Sequence, residues 1–395
     1  MRRSQRRILF GISATAFLGP FTQTVYAPSL VDVGVDLQVG TLLVNLTISV
    51  YSIIFAVAGF VWGPFGDSRG RRAALLTGLV LFLVGSVLCL AAPSYGWFLA
   101  GRIAQAGGIS AGSVIAAAVI GDVYQPRERA HAMSIYQLVV FLGPVCGPVI
   151  GGFVAGHLHW QWAFGLLVLA GLAVLLYDHL LLPETLHRAD DRPGWTSARM
   201  RAVVGNRTAR TMFFLGFGQF YGYYVFLVFV PTLVAPFGLS AAATGLMFVP
   251  LTAGIFVGII AARRWFPHWT SARIIGASAW SVAVTVLLLW LLLAADGLSL
   301  ASLAAVLAAY GLMLGASLPA QSTLLVTVFS ADRATAMGMY NFARFTGAAA
   351  GPLLGALIVD RYGLAALCGS LGVFLLLAAR SVSTGIPIHH DPGIA

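Results

Sequence analysis

Hydrophobic positions along this chain come in long unbroken runs, with no sustained alternation of period two. After four early arginines a first run ends near Pro28, and others lie near 42–64, 73–92, 97–120, 132–156 and 162–182. A polar stretch from Glu184 to Arg210 follows, and then six more runs near 211–234, 242–262, 272–295, 299–328, 334–358 and 363–381. Runs of roughly 18–25 apolar residues have the length of an α-helix that crosses the hydrocarbon of a bilayer. Helices apolar on every side belong there. The pattern predicts an all-α membrane protein with twelve transmembrane helices: six in residues 1–183, a linker over 184–210, and six in 211–395. Arg2, Arg3, Arg6 and Arg7 before the first run could open a signal peptide. With eleven spans following and no convincing cleavage site, we read an uncleaved first helix.

One stretch occurs twice. Residues 128–155 and 332–359 align at an offset of 204, with ten identities in register: Arg129/Arg333, Ala130/Ala334, Ala132/Ala336, Met133/Met337, Tyr136/Tyr340, Phe141/Phe345, Gly143/Gly347, Gly147/Gly351, Pro148/Pro352 and Gly151/Gly355. Shared apolar composition does not produce that many matches, so the chain reads as one unit written twice. Glycine and proline at this density would mark a loop in a soluble protein. Within a membrane span, small residues let helices approach closely, and neighbours re-satisfy the freed backbone groups.

Composition agrees. The chain is 59% hydrophobic and 9% charged, against roughly a quarter charged in soluble domains. All 23 basic residues are arginine, and the net charge of +10 is accounted for by where they sit. Twenty fall on one side of the twelve-span topology: the N-terminus, the loops after spans 2, 4, 8 and 10, the linker and the end of span 12. Only Arg361 falls on the other, and Arg102 and Arg344 lie inside spans. The positive-inside rule then places both termini in the cytoplasm, and no nucleic-acid partner is needed to explain the charge. Cys89, Cys146 and Cys368 lie in apolar segments, with neither disulfide nor metal-site spacing.

Between spans 2 and 3 lies GPFGDSRGRR, Gly63 to Arg72, where Asp67 can form charge-assisted hydrogen bonds with Arg71 and Arg72 and latch one helix pair. This loop resembles the loop signature of the major facilitator superfamily, G-x-L-x-D-R-x-G-R-R, with Ser68 at the usual arginine position. GPVCGPVIGG resembles that superfamily's antiporter motif through Gly143, Gly147, Pro148, Gly151 and Gly152. Arg102-x-x-Gln105 resembles its span-4 arginine motif, and YAPSLVDVGVDL, Asp122 before PRERA, and LPETL at 182–186 also fit. The chain is most similar to the twelve-span drug:proton antiporters. That resemblance implies two pseudo-symmetric six-helix bundles around a central cavity, rocking to open it to each side in turn. The latch would stabilise one state, and the span-5 glycines would serve the moving interface.

Ionisable residues inside spans are costly and point to function. Arg102 reads either as a snorkelling interfacial side chain or as a cation that perturbs an acid or holds an anionic group, with Gln105 one turn on sharing its face. Arg344 has Val140 as its repeat partner, an asymmetry that structural duplication does not require. Span 7 carries nine Phe and Tyr residues, which either face lipid or, for Tyr221 and Tyr224 beside Gln219, line a pocket for flat or cationic ligands. Asn45, Tyr51, Tyr136, Gln137, Tyr340 and Asn341 are further pocket candidates. None of the thirteen acids sits at a span centre. Asp122 and Asp32 are the proton-coupling candidates, and Asp178 falls near the inner end of span 6. Where some relatives carry an acid in span 1, Thr22, Gln23 and Thr24 stand here.

GISAG at 108–112 matches a hydrolase pattern but lies in a membrane helix, where it is packing. Asn45 and Asn206 match glycosylation patterns at unusable places, and His389 and His390 are too few to hold a metal. We expect no enzyme activity, cofactor or metal. The expected protein is a monomeric multi-pass transporter of the plasma membrane. It would export small organic compounds in exchange for protons, with uniport or import of metabolites and a non-transporting receptor or scaffold as rivals.

Overall fold

The computed structural model describes residues 3–186, 197–264, 269–329 and 333–386. Arg2, Arg188, Arg192, His389 and His390 lie outside the described residues, as do the side chains of Arg127, Arg129, Arg199, Arg263, Arg264 and Arg333. The described residues form helices and their connections, without a strand. In order these are α1 (Arg3–Thr24), α2 (Leu30–Asp36), α3 (Thr41–Arg69), α4 (Arg71–Leu90), α5 (Tyr95–Val123), α6 (Pro126–His157) and α7 (Trp162–Leu181). The second half holds α8 (Ser197–Gly205), α9 (Arg207–Val234), α10 (Ala241–Leu246), α11 (Val249–Arg264), α12 (Ser271–Ala294), α13 (Leu300–Val328) and α14 (Arg333–Gly385).

Eleven segments are long and apolar enough to cross a membrane. The last of them, Thr335–Gly385, is 51 residues long, about twice the requirement. It breaks at Gly363, whose φ of 81° is open to glycine at little cost, so the chain makes twelve crossings. The expected span over 242–262 is divided at Met247–Phe248. Pro250 has no N–H to offer the carbonyl of Leu246, so it sits in the first turn of a new helix instead. The linker contains a helix that its polar composition concealed. α8 buries Val203 against Ala209 and Ala336, and Asn206 caps α9 by accepting from Ala209 N at 3.2 Å.

The chain separates into two compact units, Met1–Asp190 with Leu239–Leu246, and Asp191–Gly238 with Met247–Ala395. Each unit has the same scheme of helix partners. In the first, α1 packs on α6, α3 on α5, α4 on α5 and α4 on α7. In the second, α9 packs on α14, α11 on α13, α12 on α13 and α12 on α14.

The duplication reaches individual contacts. A Cβ added at Gly147 would lie 3.2 Å from Val25 N, and one at Gly351 would lie 3.3 Å from Val225 N. Gly143 and Gly347 face the carbonyls of Phe17 and Phe217 in the same manner. The glycines of the repeated stretch are therefore the seat of α1 in the first unit and of α9 in the second. Along α6 the remaining small residues turn to α10, which belongs to the first unit: a Cβ at Gly245 would meet Gly152 Cα and Pro148 O, both at 2.9 Å. Gly151 instead faces the carbonyl of Val25.

Candidate functional site

At the arginine-rich end of the first unit, the turn between α3 and α4 is built on Gly70, at φ 104°. Here α4 begins with free backbone N–H groups, and a helix start attracts an acceptor with negative charge. Glu184, which follows α7, supplies it. Its Oε1 accepts from Arg71 N at 2.9 Å and its Oε2 from Arg72 N at 3.2 Å. Thr185 N and Leu186 N also donate to Oε1, at 3.0 and 2.9 Å. Partial burial pushes the Glu184 carboxyl up, but the N–H groups of Leu186, Arg71, Arg72 and Thr185 outweigh it and hold it below its ordinary value.

Arg71 pairs with Asp67 one turn before it, and its Nε lies 3.3 Å from Asp122 Oδ2. Arg72 Nη2 donates to the carbonyl of His179 at 2.7 Å. The loop, the end of α5 and the segment after α7 are thereby tied together inside one unit. Of the glycines, Gly66 and Gly70 are the crowded ones, while a Cβ at Gly63 would find nothing nearer than Val114 Cγ1 at 3.9 Å. Ser68 bonds back to the carbonyl of Phe65 at 3.1 Å, and Arg69 lies over the Phe65 ring. Asp122 sits with Arg71 rather than near Arg102. Twenty residues along one helix separate it from Arg102, about 30 Å.

Arg102 is wholly enclosed within the first unit. Its Nη1 donates to Gln105 Oε1 at 2.8 Å and to the Thr22 carbonyl at 3.2 Å. The guanidinium carbon lies 4.3 Å from the Tyr51 ring centroid and 4.6 Å from that of Tyr26, a cation–π arrangement strengthened by the absence of water. Gln105 passes the chain on to Ser86 Oγ at 2.9 Å. Nε and Nη2, the two donors on one side of the guanidinium, meet no acceptor among the described residues. That fork matches the geometry of a carboxylate. Tyr51 donates to the Gly19 carbonyl at 2.9 Å, and Asn45 is buried with its Nδ2 unpartnered.

The second unit carries a polar cluster of different make. Gln219 Nε2 donates to Ser317 Oγ at 3.1 Å, and Gln321 Nε2 to Gln219 Oε1 at 2.7 Å. Tyr340 donates to Gln321 Oε1 at 2.9 Å, and Tyr310 to the Gln219 carbonyl at 2.7 Å. Beside them Arg344 stands 3.9 Å over the Phe220 ring centroid, and its Nη1 donates to Asn341 Oδ1 at 3.2 Å. Arg344 Nε has no partner.

The structure thus gathers Gln219, Tyr340, Asn341 and Arg344 in one cluster, and Arg102, Gln105 and Tyr51 in another. Tyr221 and Tyr224 are buried on α9, Tyr221 stacked at 6.2 Å on Phe217. Tyr136 is buried and reaches the Ser113 carbonyl at 3.5 Å, whereas Gln137 is exposed. Asn341, at the repeat position of Gln137, is half-buried and engaged by Arg344. Asp32 is exposed, and the acid joined to His159 and Trp160, each at 2.7 Å, is its neighbour Asp36. Gln321, Ser317 and Tyr310 were missed, and Glu184 was noted only as part of LPETL at 182–186, without its partners. Ser317 lies 204 positions after Ser113, so the repeat offset could have found it; the others leave no local signal.

The profile of the Major Facilitator Superfamily matches residues 12–296. Over 199 residues the chain is 36% identical to citrate exporter 1 of Aspergillus niger, covering 50% of this chain and 35% of that protein. It is 30% identical over 177 residues to a bicyclomycin resistance protein homologue of Haemophilus influenzae, covering 45% and 44%. Against the multidrug resistance protein MdtL of Escherichia coli it is 29% identical over 209 residues, covering 53% and 52%. The chain thus spans about half the length of these curated relatives, or less. Among solved structures it is similar to a D-xylose-proton symporter, with a TM-score of 0.80 at 17% identity over 96% of this chain and 98% of that one. It is also similar to a bacterial homologue of the human lysosomal transporter Spinster, with a TM-score of 0.75 at 18% identity over all of both chains. These likenesses concern the fold. With the profile covering most of a chain built as two matching bundles of membrane-crossing helices, the protein belongs to the Major Facilitator Superfamily, a family of membrane transporters rather than enzymes.

Proposed function

We propose that the protein is a secondary active transporter that exports small organic compounds in exchange for protons, its two units opening a shared path to each side alternately. The observation that carries this reading is Arg102, a membrane-embedded guanidinium enclosed without a carboxylate partner, its side fork unpartnered. A charge kept in a membrane span at such cost has work to do there, and this fork suits the anionic or hydrogen-bond-accepting end of an organic molecule. Arg344 and Gln219 give the second unit a comparable polar element. Three matched relatives are named as an exporter or as resistance proteins, and Gly143, Gly147, Pro148, Gly151 and Gly152 fit the antiporter motif. The arginine distribution supports cytoplasmic termini in a plasma membrane, and the protein would act there as a monomer.

The test uses purified full-length protein in liposomes with an imposed pH gradient and two probes, radiolabelled citrate and the cationic dye ethidium. Uptake of either that rises with the gradient and collapses with an uncoupler supports the proposal. Flux indifferent to the gradient overturns antiport in favour of uniport. No flux of either probe overturns export and favours a scaffold.

A further inference from the structure

We propose that Asp178, packed against the first helix, is the acid that carries the coupling proton; this rests on the antiport reading above. Asp178 lies in the last turn of α7, on a span otherwise apolar from Trp162 to Tyr177, and it is 0% exposed. Its Oδ2 is 2.7 Å from Thr15 Oγ on α1, and its Oδ1 has no hydrogen-bond partner among the described residues. A cleft in α1 receives it. A Cβ at Gly11 would fall on Asp178 Oδ1 and lie 3.3 Å from its Cγ, so this glycine leaves room for the carboxyl and little else.

The hydrogen count decides the charge state of this pair. Thr15 has a single hydroxyl hydrogen but two acceptors in reach, Asp178 Oδ2 and the Gly11 carbonyl at 3.1 Å. If Asp178 is protonated, its O–H donates to Thr15 Oγ and Thr15 donates to Gly11 O. Every donor is then used and no charge is buried. If Asp178 is ionised, Thr15 can serve only one acceptor, and a carboxylate holding one hydrogen bond at most is sealed away from water. A buried charge without a partner is far costlier than a neutral acid. The closed packing of α1 on α7 therefore requires the proton.

No described neighbour forms an ion pair with the carboxyl. Among the described residues, the ionisable groups at this end of the elements packed against Asp178 are Tyr177 and His179 on α7 itself, Arg3, Arg6 and Arg7 on α1, Arg71 and Arg72 on α4 and Glu128 on α6. Tyr177 donates to the Arg7 carbonyl at 3.3 Å, and Arg72 is occupied with the His179 carbonyl. Among the described residues, none forms an ion pair with Asp178. Coupling then requires α1 to shift against α7 within the first unit as the two units move, so that water reaches the carboxyl and the proton passes from Asp178 to water. When the helices close again, a proton must return. The proton is thus bound or released with the packing of the helix that also seats on the glycine stripe of α6.

Two measurements on the full-length protein test this. In infrared spectra at neutral pH, the wild-type protein should show the carbonyl stretch of a buried protonated carboxylic acid that is missing from Asp178→Asn. A wild-type-minus-variant spectrum without that band overturns the inference. In liposomes, a gradient of two pH units can accumulate citrate or ethidium up to about 100-fold per proton exchanged. Asp178→Asn mimics the protonated acid, keeps a donor for Thr15 and should melt no lower than wild type. It should exchange the probe across equal pH on both sides while its gradient-driven accumulation falls to about 1-fold. If wild type responds to the gradient and Asp178→Asn responds equally, the inference is overturned and antiport stands. If wild type itself ignores the gradient, both are overturned. Asp178→Glu, which keeps the acid but lengthens it against Gly11, should restore part of the gradient response; a structural role alone would not distinguish Glu from Asn in this way.

Discussion

Glu184→Ala removes the acceptor on which α4 starts. The side chain serves two N–H groups of a helix 112 and 113 positions away in sequence, so it acts as an N-cap supplied by another segment. Loss of an N-cap costs about 0.5–2 kcal/mol, typically near 1, and loss of a negative charge at a helix start adds about 0.3–1 kcal/mol. Because Glu184 is exposed to solvent, the lower part of each range applies, giving about 1–1.5 kcal/mol together. For a unit of this size, each kcal/mol corresponds to roughly 2–4 °C in melting temperature. Thermal unfolding of the full chain in detergent should therefore fall by roughly 2–6 °C at pH 7, and by less for Glu184→Gln, which keeps an acceptor oxygen. The folded-state carboxyl ionises below the ordinary Glu value of 4.5. Its contribution is fully present above that value and is lost as pH falls through the lowered folded one. The wild-type and Glu184→Ala melting curves should accordingly converge in acid. Equal melting at pH 7, or a difference that persists undiminished in acid, would refute the reasoning.

Other substitutions separate residues that the motifs treat alike. Gly147→Ala places a methyl on Thr24 and should cost about 1–3 kcal/mol through overpacking. Gly63→Ala, with open space around it, should fall within about 0.5 kcal/mol of wild type; equal effects in thermal melting would contradict the contacts described. Arg102→Met removes a buried charge, so it should leave melting unchanged or raise it while abolishing probe flux in liposomes; retained flux would dismiss Arg102 from the path. Arg344→Val restores the repeat's own residue and should weaken probe binding, and unaltered transport and affinity would end the argument from asymmetry. Asp122→Asn breaks only an exposed pair with Arg71 and should shift melting by less than about 1 kcal/mol; abolished proton coupling in that variant would return Asp122 to the coupling role.

Much was legible in the sequence because a bilayer demands it. Each crossing needs about 20 apolar residues with its hydrogen bonds made within its own helix, so span count and the linker are local properties. The repeat was legible for a related reason: Gly143, Gly147 and Gly151 are dictated by the closeness of a neighbouring helix, and Gly347 and Gly351 meet the same demand, while Gly355 makes room for the Phe229 ring. What local pattern does not carry is the rotation of each helix about its axis. A helix apolar on all sides has no stripe to reveal which residue faces which neighbour. Hence the sequence offers Asp122 as a coupling candidate without showing that it meets Arg71, and it offers Gln137 and Asn341 alike although one is exposed and the other engaged by Arg344. Glu184 and Asp178 are the clearest cases. The helix start that Glu184 caps and the hydroxyl that meets Asp178 lie 112 and 163 positions away, and nothing near either residue names them. The sequence by itself determined how many times this chain crosses a membrane and that it does so as two copies of one plan. Only the tertiary structure decided which buried polar groups touch, because that depends on packing between helices that local hydrophobicity leaves free to turn.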